Sequence, residues 1–370
     1  MLQRHTVTLS FTMERTSPAE TTSLLRDVTV DDAIMACIPR AENAIVTTTS
    51  IGDSSWSRPL QVTLGRGTLQ TRSYFVKITK TSTGMSMLRG EYESMAMLHS
   101  IIPQHTVTPI AWGTCSSTLD HYFYVSSFHE FGVEPPTPSA LAALTASFHT
   151  LSAEAFAAQT IQPASAGRFG FHTVTHMGMI PQEVDWTDSW EAFFARDLRR
   201  ILAFEAAAQG QSKDFESLAA ETLNHVVPRL IRPLETEGRS IRPTLIHGDL
   251  QIRNFRMEKD SGSLLLFDAG SFWGHNECDL GKWRIPRFRL GQSYIDAYHE
   301  LVPKSEPVEE CEDRAILYSM QVPRRHLLIA HCLTLPKADI IFSHRLTILV
   351  KRSSGNCKSH QPASQGRRRH

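Results

Sequence analysis

Read in chain order, Lys77, Glu91, Asp249, Asn254 and Asp268 are residue types that together could move a phosphoryl group. The densest stretch runs from Leu245 to Gly281, LIHGDLQIRNFRMEKDSGSLLLFDAGSFWGHNECDLG. In it His247-Gly248-Asp249 precede Asn254 by a short loop, and the apolar run Leu264 to Phe267 delivers Asp268 at its end. Phosphoryl transfer spreads charge over the phosphoryl oxygens, so a protein mostly positions groups and neutralises charge. An aspartate beside the acceptor hydroxyl orients it and takes its proton. Mg²⁺ wants hard oxygen ligands and keeps several waters, so one Asp and one Asn suffice beside the phosphates of ATP. Asp249 is therefore the candidate base, and Asn254 and Asp268 are the candidate metal ligands. Their order matches the catalytic loop and metal-binding aspartate of kinases. The plain alternative makes Asp249 and Asn254 turn residues and Asp268 a strand-end cap.

Lys77 and Glu91 complete the set. Lys77 ends the strand-like run Tyr74-Phe75-Val76, where an acid could hold its ammonium toward the α and β phosphates. Glu91 falls in a segment where Leu88, Tyr92, Met95 and His99 recur at helical spacing, which predicts a helix from about Ser86 to Ser100. Glu91 borders the apolar face of that helix and Glu93 points elsewhere, so Glu91 is the expected partner. The alternative is an ordinary strand-edge lysine and a solvated helix acid.

The elements that must position these residues change character along the chain. Val/Thr/Ile-rich runs at Ala44–Thr49, Leu60–Leu64, Ser73–Ile78 and His121–Val125 predict strands. From Ser139 onward helices dominate: Ala140–Leu151, then Asp188–Phe204 with Trp190, Phe194, Leu198 and Ile201 on one face. Asp188 and Glu191 have capping-box spacing. Strands first and helices after predict an α+β, two-lobed chain joined near residue 130. A single α+β unit without a cleft is the alternative. The expected division is a leader over 1–40, a nucleotide-binding lobe over 41–130, a catalytic and acceptor-binding lobe over 131–320, and an atypical basic tail over 321–370.

Composition excludes several classes. The chain has 370 residues, 41% of them hydrophobic, and no formal net charge, so no global field recruits nucleic acid or an anionic membrane. No run of apolar residues is long enough to span a bilayer, and the first 25 residues lack the pattern of a secretory signal. Six scattered cysteines form no CxxC pair, which argues against zinc and suits a reducing, cytosolic compartment. The six Lys/Arg between Lys351 and His370, with no acid among them, read as a disordered basic end.

With the five residues in this order, the chain resembles the aminoglycoside-phosphotransferase-like kinases, and further motifs narrow the likeness. Arg168-Phe-Gly-Phe-His172, Pro181-Gln182 and Asp185-Trp186-Thr-Asp-Ser-Trp190 are similar to the FGF, PQ and W-x-x-x-W pattern of the fructosamine/ketosamine 3-kinase family. Phe267-Asp268 followed by Gly274-His-Asn-Glu-Cys-Asp-Leu280 resembles that family's FD and GHxExDL, and Ile295–His299 its C-terminal helix. The resemblance covers roughly residues 45 to 320 and is most similar to fungal protein-ribulosamine 3-kinases. It implies a protein-kinase-like fold, with a small antiparallel-sheet lobe and a larger helical lobe. It also implies transfer of the γ-phosphate of ATP, with Mg²⁺, to O3 of a free or protein-bound ketosamine. In that family the reaction serves deglycation repair.

Trp186 and Trp190 would then shape the acceptor side or simply pack a helix. His275, Glu277 and Asp279 would brace the catalytic loop or, by composition, hold a metal. Three departures stand out. The stretch Thr47–Ser57, where a Gly-rich phosphate loop belongs, has only Gly52, with Asp53 beside it. The family's tryptophan two residues after the catalytic aspartate is Gln251. The family-like pattern stops near Met320. A kinase of another small hydroxylated acceptor, of aminoglycoside or choline type, and a nucleotide-binding pseudokinase are the competing readings. Oligomeric state is not legible in the sequence.

Overall fold

Alternating burial makes a five-stranded sheet of the first part of the chain. In the computed structural model, which describes residues 30–39, 45–52, 54, 56–65, 71–160, 168–209, 212–321 and 347–353, helix α1 (Asp32–Cys37) precedes strands β1 (Ile45–Ser50), β2 (Arg58–Gly65) and β3 (Thr71–Lys80). Helix α2 (Thr81–Ile101) follows, then β4 (Pro109–Thr114) and β5 (His121–Ser127). The strands are antiparallel in the order β1-β2-β3-β5-β4. Leu60, Val62 and Leu64 on β2, Tyr74 and Val76 on β3, and Phe123 and Val125 on β5 pack with Ile34, Met35 and Ile38 from α1 and its end. Because successive side chains leave a strand on opposite faces, burying Val76 in this core turns Lys77 to the other face, toward α2.

The helical part begins with α3 (Pro138–Ala157), whose start is fixed by Thr137: its hydroxyl accepts the Ala140 N–H at 3.2 Å, and Pro138 sits at the first helical position. Then come the short ribbon β6 (His176–Met177) and β7 (Ile180–Pro181), and helices α4 (Trp190–Gln209), α5 (Lys213–Glu221) and α6 (Val227–Ile231). The predicted capping box at Asp188 is not what starts α4. The helix begins at Trp190, so Ser189 holds the cap position and accepts the Ala192 N–H at 3.2 Å. Glu191 instead pairs with Arg232 at 2.8 Å.

Strands β8 (Thr244–Ile246), β9 (Phe255–Met257), β10 (Leu264–Leu266) and β11 (Phe272–Gly274) form two ribbons, β8 with β11 and β9 with β10. Helices α7 (Glu277–Leu280), α8 (Gln292–Leu301) and α9 (Cys311–Tyr318) follow. One large core joins α3, α4, α6, α8 and these ribbons. Trp190 is fully buried in it, among Phe169, Phe193, Phe272 and Tyr318, so this tryptophan packs a helix. Leu349, in the helical segment 347–353, is buried in the same core, and Arg352 pairs with Asp313. The remainder of the expected basic end lies outside the described residues. Among the described residues no helix is long and apolar enough to cross a membrane.

Between the lobes the chain runs beside β9 and the turn after it. Gly132 donates its N–H to the Met257 carbonyl at 2.8 Å, Lys259 donates to the Glu130 carbonyl at 2.8 Å, and His129 pairs with Glu258.

Candidate active site

The ribbon β9–β10 brings two of the predicted residues together. Phe255 pairs with Leu266, and the Phe267 N–H donates to the Asn254 carbonyl at 3.0 Å. Asn254 and Asp268 thus leave the same open end of the ribbon, although fourteen positions separate them. Asp268 has φ 59°, a left-handed conformation that costs an ordinary side chain energy and recurs at functional sites. Its carboxylate reaches Lys77 from the sheet. Lys77 also lies 2.8 and 2.9 Å from the two oxygens of Glu91. Glu93 turns away and meets His172 at 3.1 Å. The helix begins at Thr81, earlier than predicted, so β3 runs directly into the helix that carries Glu91.

Helix α2 is pinned to the Asp268 segment by a residue the sequence reading did not single out. Ser94 donates to the Gly90 carbonyl at 2.7 Å and accepts the Ser271 N–H at 2.9 Å. Gly90 lies against the backbone at Val174, where a Cβ would come within 2.5 Å of the carbonyl oxygen, so the helix packs closely on that strap.

Paired charges set the electrostatics of this trio. Burial alone would lower Lys77, but the carboxylates of Asp268 and Glu91 hold it above its ordinary value. Burial would raise Asp268, and the Lys77 ammonium beside it holds it below the usual carboxylate range. Glu91 is pushed up to about 8 by burial, with Lys77 opposing and the charge of Asp268 adding. Two carboxylates share one ammonium.

The loop carrying Asp249 is built from β8. Thr244, Leu245 and Ile246 are all buried, and the chain then turns through Gly248 at φ 80°. A Cβ on Gly248 would stand 2.0 Å from the Gly270 carbonyl oxygen, so only glycine fits there. Asp279 accepts the N–H groups of His247 and Gly248 at 2.8 and 3.0 Å. His149 braces Asp279 at 3.3 Å and meets the Tyr298 hydroxyl at 2.8 Å, which in turn accepts from Asn276 at 2.9 Å. Glu277 pairs with the buried Arg314 at 3.0 Å and accepts the Ser305 N–H at 2.8 Å; His275 meets Tyr318 and Ser305 at 2.8 Å each. These partners account for His275, Glu277 and Asp279 as braces, and among the described residues no cluster has the make-up of a metal site of three such ligands.

Asp249 itself accepts from Asn254 Nδ2 at 2.7 Å through Oδ2 and from Lys282 Nζ at 2.5 Å through Oδ1. Gln251, where the family pattern has tryptophan, is buried; it donates to Asn254 Oδ1 at 3.3 Å and accepts the Arg253 N–H at 3.3 Å. All five predicted residues line one cleft of about 640 Å³, together with Ser54, Trp56, Ser57, Thr79, His176 and Arg253. The Ser54 hydroxyl accepts the N–H groups of Trp56 and Ser57 at 3.3 and 3.2 Å, so a serine turn sits where a Gly-rich loop was expected. Asp53 lies outside the described residues. His176 is pushed down to about 4, by burial first and then by Arg200, so the cleft meets a neutral ring. An Asp carboxylate and an Asn side-chain carbonyl at one ribbon end, open to this cleft, suit a hard divalent cation.

A small antiparallel sheet over a helical lobe, with an ion-paired strand lysine facing an aspartate loop and a ribbon-end aspartate, defines a protein-kinase-like fold. Residues 46–331 match the Fructosamine kinase family, and the chain belongs to that family. The match runs eleven residues past the limit drawn from motifs. The chain is 36% identical over 146 residues to a mouse protein named ketosamine-3-kinase, covering 39% of this chain and 43% of that one. It is 27% identical over 246 residues to a chloroplastic protein-ribulosamine 3-kinase of Oryza sativa subsp. indica, covering 66% of this chain and 65% of the relative. The chain thus spans less than two thirds of the length of these relatives. A crystallised candidate fructosamine-3-kinase from Haemophilus somnus shares the fold, with a TM-score of 0.59 at 18% identity over 83% of this chain and 92% of that one.

Proposed function

We propose that this chain is an ATP-dependent kinase that phosphorylates O3 of a sugar carried as a ketosamine, the ribulosamine or fructosamine of a glycated amine. The observation that carries the reading is the convergence of Lys77, Glu91, Asp249, Asn254 and Asp268 on one cleft in a chain of this family. Lys77, steadied by Glu91, neutralises the α and β phosphates of ATP. Asp249 orients the acceptor hydroxyl and takes its proton as oxygen attacks the γ-phosphorus. Mg²⁺, when bound by Asp268 and Asn254, offsets the phosphate charge. Nucleotide binding belongs to residues 41–130 and acceptor binding to 131–320, with a cytosolic location resting on the sparse cysteines.

The test is a mass measurement. Purified protein, Mg-ATP and a ribulosyl- or fructosyl-lysine peptide are mixed, and the peptide should gain one phosphate. An unmodified peptide, with the nucleotide still bound by the protein, would reject the kinase reading in favour of a pseudokinase. Transfer to an aminoglycoside or choline but not to the peptide would reject the acceptor.

A further inference from the structure

Lys282 is a buried ammonium that the five predicted residues leave unexplained. It lies in the turn Gly281–Arg284 that follows α7, and its side chain is only 6% exposed. Such a charge is costly unless its hydrogen bonds are met, and here all of them point at the catalytic loop and its neighbour. Nζ lies 2.5 Å from Asp249 Oδ1, 2.5 Å from the Gly248 carbonyl oxygen and 3.1 Å from Met177 Sδ. The adjoining residues do related work. Asp279 caps the N–H groups of His247 and Gly248, and Trp283 donates its indole N–H to the Leu250 carbonyl at 3.1 Å. Positions 279, 282 and 283 share one face of a helical turn by their spacing, and that face grips residues 247 to 250. Two of the grips hold backbone. Lys282 is the one that also holds the reacting carboxylate.

We propose that Lys282 is a positioning residue for phosphoryl transfer, one that fixes the rotation of the Asp249 carboxylate. With Oδ1 tied to Lys282 and Oδ2 receiving Asn254 at 2.7 Å, the group cannot turn about its Cβ–Cγ bond without breaking a charged hydrogen bond. This rests on the kinase reading above. In that reaction the acceptor O–H bond breaks and its proton passes to Asp249. The acceptor oxygen bonds the γ-phosphorus, and the bond from phosphorus to the bridging oxygen breaks with its electron pair leaving on ADP. Lys282 does not line the cleft and acts through the carboxylate. The other charged groups lining the cleft around Asp249 are Arg253, Lys77, Glu91 and Asp268. Without Lys282 the carboxylate is free to turn toward the exposed Arg253 and away from the hydroxyl.

The test compares the parent with Lys282→Met, which keeps an unbranched apolar stem of similar length and removes the charge, and with Lys282→Arg, which keeps the charge but moves it. Steady-state rates with the ketosamine peptide, affinity for Mg-ATP, and a crystal structure of each variant are measured. In Lys282→Met we expect kcat to fall by roughly a hundredfold while ATP affinity stays within about threefold, and Asp249 to adopt a different side-chain rotamer. Lys282→Arg should recover part of kcat. A kcat within about threefold of the parent with Asp249 unmoved, or an equal loss of kcat and ATP affinity in both variants, overturns the proposal. Should the parent fail to phosphorylate the peptide, the functional reading fails by itself. The Asp249 rotamer in the variant crystals still decides the role of Lys282, and if Lys282→Met does not fold, Lys282→Arg carries the same comparison.

Discussion

On the sheet side of the cleft, Lys77 is held by side-chain groups, at 2.8 Å from Glu91, against Asp268 and over the Phe75 ring at 5.8 Å. On the helical side, the loop bearing Asp249 is gripped by its backbone. Asp279 takes two of its N–H groups, Trp283 and Lys282 take two of its carbonyls, and Ser94 fixes the segment after Asp268. The difference teaches what each side is for. A charge held by side-chain groups can be re-aimed when a polyanion arrives, because the new partner competes with the old ones. A loop held by backbone bonds cannot be re-aimed, and preorganised geometry of that kind is what a reacting group needs.

The largest effect should come where the two sides meet. Asp268→Ala removes the partner of Lys77 and, in the proposed reaction, the charged metal ligand, which would leave Asn254 as a weak neutral donor for a hard dication. Mg²⁺-dependent nucleotide affinity and turnover should both disappear. Survival of either in a titration with and without Mg²⁺ would remove Asp268 from the metal.

On the helical side alone, Asp249→Asn keeps shape and loses the carboxylate. We expect kcat to fall by about two to four orders of magnitude while ATP still binds. Near-normal rates with the peptide would dismiss Asp249 as the base.

On the sheet side, Lys77→Ala and Glu91→Ala should each lower kcat/KM for ATP by roughly tenfold or more, and the double variant should be little worse than Lys77→Ala. Glu93→Ala should be nearly silent, because Glu93 faces His172. A double-mutant cycle reads this directly. Additive losses would mean that Lys77 and Glu91 do not act as a pair, and the contrast between the two sides would collapse.

The smallest effect is on stability. His275, among the braces of the helical side, is pushed down to about 4, by burial first, with Glu277 opposing and Arg314 adding. Unfolded histidine titrates near 6.5, so between those values only the unfolded chain takes up the proton, and stability falls as pH drops through the window. Between pH 7 and pH 5 this amounts to roughly 2 kcal/mol. Asp197, pushed up to about 6 by burial, acts in the opposite sense, so the difference between parent and His275→Gln isolates the ring. Urea unfolding at both pH values should show a flatter pH dependence in the variant. Equal slopes would mean that the ring is not held neutral.

Much of this was legible in the sequence because periodicity and end-of-strand position carry it. Burial of Val76 at period two turns Lys77 toward the cleft, and the spacing around Leu88 and Met95 places Glu91 and excludes Glu93. Lys282 was not legible. A lysine in a charged segment is by default a solvated one, and only tertiary packing brings it 2.5 Å from Asp249 across thirty-three positions. Ser94 was hidden for the same reason, since its partner Ser271 is 177 positions away. Strand β4 (Pro109–Thr114) escaped because Pro109 and Gly113 read as breakers, and the proline occupies an edge strand where no ladder donor is needed. The cap of α4 moved from Asp188 to Ser189 because boundaries set by one hydroxyl are finer than a capping-box spacing resolves.

The two partners of Lys77 also differ in when they can exist. Glu91 is 14 positions away and Asp268 is 191. Chains are made from the N-terminus at about 5–20 residues per second, so Glu91 is made within seconds of Lys77 and Asp268 only roughly ten to forty seconds after it. Throughout that interval the growing chain carries Lys77 and Glu91 and lacks the carboxylate of Asp268. A message cut short between codons 91 and 268 therefore encodes the lysine and its glutamate but leaves the cleft chemically unfinished.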